Sequence, residues 1–529
     1  MTLLILLLAA ATAPAATYRV AGTGFENAND PKGNPPATSH GLFALSSVAE
    51  TPDGGFLIAS QGYVRKVGPD GRIATVAGRG GTRSSGDGGP AKDAIVDPSG
   101  IAALPDGGYL FSDGISRVRQ VGPDGIIRTV AGGPQSGFGG DGGPATGGKF
   151  QFPEDVAVLP GGGFLVADQF NHRIRKVGAD GIITTVAGTG PSGNDKGEFA
   201  GDGGPATAAR LDSPQSVAAL PDGGFLIADT GNFRVRRVGP DGVIHTVAGN
   251  GKPGADANLD GKPALTSSFG VRDVAVMADG SVAIAASGHV YKLGNDGNMT
   301  LLGPGFTAAA TADNGILATY LDDVLYLAPA NPTRMAVALS PATFSQGASP
   351  KAIFDATLPG TAEAVIVSGT RTVARASGTA QPGTNTLPVN TVLKKGVEYR
   401  LNLTVTSPSG QIATASLPLL GPGLLPAALA RRIANLYADA RGDAAYYQRV
   451  RRCRRMTSRR IDCRIDEIVA DDPKGCTYIL SVQLPTSGRL ATRTYRCARR
   501  TTYTKRPRWR GRAVPLPDEF LGKLEAGPR

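Results

Sequence analysis

The stretch SVAALPDGGFLIADTGNFRVRRVGPDGVIHTVAG, residues 216–249, holds four short apolar segments separated by turn residues. SVAAL leads into the turn PDGG at 221–224, then FLIAD, a short connection through GN, and RVRRV. The turn GPDG at 239–242 leads to VIHTVAG. Gly at these turns supplies positive φ. Four such segments joined by tight turns read as one four-stranded antiparallel sheet. FLIAD is a near-continuous apolar run, as expected for a strand covered on both faces. RVRRV alternates apolar and basic residues, which predicts one solvated face. A second clear copy spans 155–188, and weaker copies begin near Ser47, Gly100 and Asp273. Sheets recurring at roughly fifty-five residues stack side by side as propeller blades, because none buries its apolar faces alone.

The count of copies predicts how the ring closes. Fourth strands end at Gly78, Gly132, Gly188, Gly249 and near Gly303, and residues 307–329 then supply three strands and stop. TYRVAG at 17–22 matches a fourth strand and has no partners before it. The expected fold is therefore mainly β, with a six-bladed propeller over 17–330 closed by its N-terminal strand, which leaves no inner edge unpaired. Turns between first and second strands and between third and fourth strands share one face. The other connections share the opposite face, and those between repeats run to about twenty residues, the length of functional loops. These loops carry GDGGPA at 86–91, 140–145 and 201–206, with a degenerate form at 260–264. One Asp per loop is too few for calcium, and the strand and GK[ST] of a phosphate loop are missing. Asp87, Asp141 and Asp202 are read as capping short helical turns that begin at Pro, on the recognition face.

The run Asp168…Asn171-His172-Arg173-Ile174-Arg175-Lys176, its counterpart Asp229…Asn232-Phe233-Arg234-Val235-Arg236-Arg237, the GDGGPA loops and the TVAG strands resemble the NHL-repeat propeller family, in the form found in exported bacterial proteins. The resemblance covers about 17–329. It implies binding of proteins, RNA or glycans, with a minority of enzymes. Ser60 and Ala286 replace the motif Asp in the first and fifth repeats, so a complete ring of identical sites is not expected.

Aligning the repeats on their VA pairs brings Ser46, Ser99, Glu154, Gln215 and Arg272 to one position and Ser47, Gly100, Asp155, Ser216 and Asp273 to the next. Glu154, Asp155, Gln215, Arg272 and Asp273 are thereby expected near the mouth of the central channel. No catalytic residues, metal ligands or cofactors are assigned. The four histidines, His40, His172, His245 and His289, share no ligand spacing. No nucleophile elbow, Cys–His pair or Walker motif occurs. The alternative reading is a propeller hydrolase or lyase with a metal-assisted site at the channel mouth, where a calcium ion would sit.

Residues 1–16 are read as a secretory signal peptide: the apolar run is too short to span a bilayer and ends in small residues. No other segment is long and apolar enough for a membrane helix. Spaced strands over 331–420 predict a β-sandwich resembling fibronectin or immunoglobulin-like modules. Residues 421–529 are expected to form a small α+β domain, with helix over about 426–450 and strands after it. All four cysteines lie there, Cys453, Cys463, Cys476 and Cys497. Their even number suits disulfides in an exported protein, with Cys453–Cys463 and Cys476–Cys497 the favoured of three pairings. This region holds 24 Lys and Arg against 10 Asp and Glu, a net +14, which leaves −3 for the rest of a chain whose total is +11. The expected whole is a secreted or cell-surface binding protein, non-catalytic. Its propeller face takes a protein or glycan ligand and its basic tail contacts anionic wall polymers. The near-neutral repeat region argues against nucleic acid.

Overall fold

The computed structural model describes residues 16–22, 34–81, 84–191, 197–254, 259–339, 350–393, 397 and 399–419. Beyond these it describes the strands within 446–457, 460–469, 477–483, 491–495 and 514–515. The strand that opens the chain is β1 (Thr17–Ala21). Four-stranded sheets follow in chain order. The first comprises β2 (Leu45–Glu50), β3 (Phe56–Ser60), β4 (Tyr63–Val67) and β5 (Ile73–Ala77). The second comprises β6 (Pro98–Ala103), β7 (Tyr109–Asp113), β8 (Arg117–Val121) and β9 (Ile127–Gly132). In the third are β10 (Pro153–Val158), β11 (Phe164–Asp168), β12 (Arg173–Val177) and β13 (Ile183–Ala187). The fourth holds β14 (Ser216–Ala219), β15 (Phe225–Asp229), β16 (Arg234–Val238) and β17 (Ile244–Ala248). The fifth holds β18 (Val271–Val276), β19 (Val282–Ala286), β20 (His289–Leu293) and β21 (Met299–Pro304). A sixth sheet is built from β22 (Ala309–Ala310), β23 (Ile316–Tyr320), β24 (Asp323–Leu327) and the distant β1, in the order β1-β24-β23-β22.

The β1 pairing is antiparallel, with Tyr18 opposite Tyr326 and Arg19 opposite Leu325. The first strands β2, β6, β10, β14, β18 and β22 touch in cyclic order, β22 returning to β2. Apolar side chains fill the spaces between neighbouring sheets. Between the second and third, for example, Leu110, Val118 and Phe150 meet Val156, Val166 and Ile183. Tyr18, Leu42, Val48, Ile58 and Tyr326 form the corresponding layer where the sixth sheet meets the first.

After the sixth sheet come β25 (Val337–Leu339), β26 (Lys351–Ala356), β27 (Gly360–Ser368), β28 (Arg371–Ala380), β29 (Gly383–Pro388), β30 (Tyr399–Thr406) and β31 (Ile412–Leu419). They form two sheets, β25-β26-β29 and β28-β27-β30-β31, around a core that includes Phe354, Ala364, Ile366, Leu401, Leu403 and Val405. β25 and β31 lie against β1, so the outer edge of the sixth sheet is covered rather than left open to another chain. Ala336 joins the layer that contains Tyr18 and Tyr326. The seam is also polar: Thr38 Oγ1 meets Thr414 Oγ1 at 2.5 Å, Arg334 pairs with Glu50, and the Met335 N–H donates to Gln411 Oε1 at 2.7 Å. A cavity of about 280 Å³ lies along it.

The last described sheet consists of β32 (Tyr446–Thr457), β33 (Arg460–Val469), β34 (Thr477–Gln483), β35 (Ala491–Tyr495) and β36 (Val514–Pro515). Residues 446–450, expected to end a helix, instead begin β32 and pair with β33; Val450 stands opposite Ile465, so ladder pairing overrides local helical spacing. The remainder of that expected helix lies outside the described residues, as do Cys476 and Cys497. The backbone register sets Cys453 directly opposite Cys463.

Tyr18 is 6% exposed. Its removal leaves a void where β1 meets the first sheet, so Tyr18→Ala should cost about 3 kcal/mol. Denaturant unfolding of the two proteins measures this directly.

Candidate functional site

The first strands β2, β6, β10 and β18 are irregular, while Gln215 directly precedes the regular β14. In β10 Pro153 faces Asp168 while Asp155 faces Ala167, which leaves Glu154 as an extra residue, a β-bulge. β2 bulges the same way around Ser46, β18 around Arg272, and β6 over Ser99 and Gly100. A bulge takes one residue out of the ladder and re-aims its side chain. Ser46, Ser99, Glu154, Gln215 and Arg272 consequently line one polar well at the ring centre, with Asp155, Ser216, Asp273 and Thr307. Its volume is about 30 Å³, enough for a single water molecule.

All five residues expected at the channel mouth meet there, but in two chemically different tiers. Asp155 and Asp273 belong to the ladder, and backbone donors consume their oxygens. Asp155 Oδ1 accepts the Val156 N–H at 2.8 Å and Oδ2 accepts the Val217 N–H of the next sheet at 3.1 Å. Asp273 Oδ1 accepts the Val274 N–H at 2.8 Å and the Ser216 hydroxyl at 2.5 Å, while Oδ2 accepts the Ala308 N–H at 2.8 Å. These carboxylates bridge neighbouring first strands. Gly100 stands where the third repeat has Asp155, and a Cβ there would come within 2.5 Å of the Asp155 Cα. Glu154, Gln215 and Arg272 form the other tier. Among the described residues, no side-chain hydrogen bond or ion pair restrains them. Arg272 is exposed, and Glu154 and Gln215 are half-buried. Burial raises the Glu154 carboxyl above its ordinary range, and the Arg272 guanidinium acts against that rise.

The donor set does not fit a metal ion. No group of three or more His, Cys, Asp or Glu converges among the described residues. The two inner carboxylates are occupied by N–H donors, and a guanidinium stands beside the one outer carboxylate. The alternative reading of a metal-assisted hydrolase or lyase has no ligand set here.

The loop residues Asp87, Asp141 and Asp202 require a correction. The short turns after them begin at Pro90, Pro144 and Pro205 as caps and receive no side-chain capping bond. Each Asp binds instead a buried arginine of a third strand. Arg236 donates to Asp202 at 2.6 Å, Arg175 to Asp141 at 2.5 Å and Arg119 to Asp87 at 2.7 Å. The second Asp oxygen reaches the fourth strand of the same sheet, at Thr129, Thr185 and Thr246. Arg119, Arg175 and Arg236 have no exposed surface, so the alternation in RVRRV does not mark a wet face at its centre. The same guanidinium groups hold loop carbonyls, as Arg236 does with Ala200 O and Arg210 O, and approach the motif carboxylates Asp113, Asp168 and Asp229 at 3.2, 3.3 and 3.6 Å.

The motif carboxylates in turn accept backbone N–H groups, such as Gln151 N on Asp168 and Asp212 N on Asp229. Burial nonetheless pushes Asp168 up to about 6 and Asp229 up to about 7, so these partners offset only part of the desolvation. Where the motif changes, the network changes. In the first repeat Arg65 donates to Ser60 at 2.7 Å. In the fifth, Ala286 and Tyr291 replace the Asp and Arg, and Asp260 accepts the Leu301 N–H at 2.8 Å.

Two outcomes follow. Arg236→Met strands the fully buried Asp229 carboxylate and removes the partner of Asp202, and should cost about 3–5 kcal/mol, whereas Arg237→Met, which removes an exposed pair with Asp222, should change stability by less than about 1 kcal/mol; thermal and denaturant unfolding compare them. Burial and the Asp273 carboxylate push Asp155 up to about 8, and burial raises Asp273 as well. The two titrate as a pair. A carboxyl with a raised folded pKa holds its proton more tightly when folded, so its stabilisation is complete below about pH 4 and is lost as pH rises through about 8. The unfolding midpoint should fall as pH rises from roughly 4 to 8 and level off above that, and Asp155→Asn should flatten that fall.

The repeat region matches known families. A model described as the teneurin NHL domain matches residues 172–239, and one for the NHL repeat matches 150–177. Teneurin-m of Drosophila melanogaster is 27% identical over 282 residues, covering 40% of this chain and 10% of the relative. Protein SUPPRESSOR OF QUENCHING 1, chloroplastic, of Arabidopsis thaliana is 28% identical over 194 residues, covering 34% of this chain and 18% of the relative. The chain thus spans less than a fifth of either relative. Among solved structures, virginiamycin B lyase from Staphylococcus aureus is similar at 13% identity and a TM-score of 0.34, covering 53% of this chain and 80% of that one. The fold is an NHL-type β-propeller, and the two family matches support an NHL-repeat family for this region.

Proposed function

We propose that this chain is an exported, non-catalytic recognition protein that binds a protein or glycan through the loop-bearing face of a six-bladed propeller. The propeller occupies 17–330 after a signal peptide at 1–16, and β1 closes it. Residues 331–420 form an immunoglobulin-like spacer. Residues 421–529 form a basic domain with a Cys453–Cys463 cross-strand disulfide and a second between Cys476 and Cys497, and it contacts anionic cell-surface polymers. The absence of a helix long and apolar enough to cross a membrane, among the described residues, is compatible with this reading.

One observation carries the proposal. The large apolar side chains that the ring exposes among the described residues are Ile115, Phe138, Phe152, Phe199 and Leu265, between 38 and 57% exposed. Each lies in a connection from a second to a third strand or from one repeat to the next. Ile115, Phe138, Phe152 and Phe199 stand near the ends where second strands pass to third strands, whereas Leu265 lies apart from them, beside the tight β20–β21 turn, where the Ala264 N–H meets Gly297 O. Two of these rings are held in place: the Arg173 guanidinium lies 3.9 Å from the Phe138 ring centre, and that of Arg234 lies 3.7 Å from Phe199. Clustered exposed apolar groups with a polar rim mark interaction sites.

Co-sedimentation of the full chain with isolated cell envelopes tests this. Salt at roughly 0.5 M suppresses contacts made by the basic tail. Under those conditions Phe138→Ser/Phe152→Ser/Phe199→Ser should reduce the bound fraction at least fivefold without lowering the unfolding midpoint. Equal sedimentation of both proteins would remove the basis of the reading.

A further inference from the structure

We infer that the centre of the loop-bearing face takes a neutral pyranose of an oligosaccharide, held by Glu154, Gln215 and Arg272. This rests on the recognition reading above and names the ligand class for the same face. Three observations lead to it. The first is the composition of the outer tier. A carboxylate accepts only, a guanidinium donates only, and a carboxamide does both; the bulges at Glu154 and Arg272, with Gln215 just ahead of β14, bring one of each to one mouth lined also by Ser46 and Ser99. Adjacent sugar hydroxyls, each both donor and acceptor, are complementary to such a trio. Glu154, Asp155 and Asp273 face a single guanidinium, Arg272, so the well offers an anionic ligand no net attraction.

The second is size. A well of about 30 Å³ is too small for the aromatic or Arg anchor that a protein partner would bury. A flat ring lying across the mouth needs no deeper cavity, because only its hydroxyls reach in. The first strands are the inner edges of their sheets, but they crowd one another around the centre, which leaves little room for the strand addition that an extended peptide would need.

The third is an aromatic group beside the polar one. Phe152 lies two residues before Glu154 and is 39% exposed. It adopts φ +52°, a conformation that costs a bulky residue free energy and is retained where surrounding structure enforces it. The Phe152 N–H donates to Ile115 O at 2.8 Å, and Phe152 O accepts the Gln169 N–H at 3.2 Å. Phe170 packs edge-on against the ring at 5.0 Å between centres. The chain therefore holds an exposed phenyl ring rigidly near the mouth, and such a ring covers the apolar C–H face of a pyranose while the polar trio binds its hydroxyls.

The test is an array of neutral oligosaccharides, including cellotriose, maltotriose and chitotriose, probed with the full chain and followed by calorimetric titration of any ligand retained. Binding should weaken at least tenfold in Arg272→Met and in Gln215→Ala. Both positions lie outside the buried network, so their unfolding midpoints should match the parent. Phe152→Ala should weaken it similarly, and Arg237→Met on the far side of its strand should leave it unchanged. Retention of no neutral sugar would overturn the inference, as would binding that Arg272→Met and Gln215→Ala leave intact. If the array is negative while envelope binding still depends on Phe138, Phe152 and Phe199, the recognition face stands and the sugar assignment alone fails.

Discussion

Guanidinium groups without contact with water hold the loop-bearing face together. Arg119, Arg175 and Arg236 each sit among a loop carboxylate, loop carbonyls and a motif carboxylate at the end of a second strand. An arginine so buried is tolerable only when its planar fork is met by acceptors on several sides. The acceptors come from two stretches of chain, the loop that enters the sheet and the end of the second strand, while the third strand carries the arginine. The long loops, which would otherwise be free to move, are fixed at their midpoints. Their aromatic residues are consequently presented as a surface rather than as mobile segments, which lowers the ordering cost of binding.

The same economy separates the two tiers at the ring centre. Asp155 and Asp273 look like the reactive members of the cluster, being half-buried carboxylates close to one another. Their hydrogen bonds show a different role, since each ties its own strand to the next sheet through a backbone N–H. The side chains without such bonds, Glu154 and Arg272, are those that the bulges lift out of the ladder. Bonded and unbonded side chains thus occupy successive residues in β10 and β18.

Much of this was legible in the chain. The repeat period, the four segments per repeat and the pairing of residues 17–21 with 323–327 follow from turn residues and apolar runs, the strongest local signals. Aligned repeats also brought Glu154, Gln215 and Arg272 to one position. Two features escaped. Alternation in RVRRV suggested a solvated face because periodicity distinguishes two sides of a strand without saying which side is dry. A signal was nonetheless present: in the fifth repeat Tyr291 replaces the central Arg, Ala286 replaces the motif Asp, and GDGGPA degrades to DGKPA, so all three elements change together. The second omission was β28, whose RTVARASGTA turns only small residues, Ala374, Ala376, Gly378 and Ala380, toward the core and so shows little apolar alternation. It forms by pairing with β27, a tertiary cause that local pattern does not carry.

Completion of the sixth sheet joins residues 304 positions apart, as Arg19 and Asp323 show. The first to fifth sheets are each continuous in the chain, so each can form from local pairings. The sixth cannot: β1 has no neighbour in its own stretch of chain and pairs only once β24 is present. Its formation carries the loop-closure cost of that separation, which local hairpins do not.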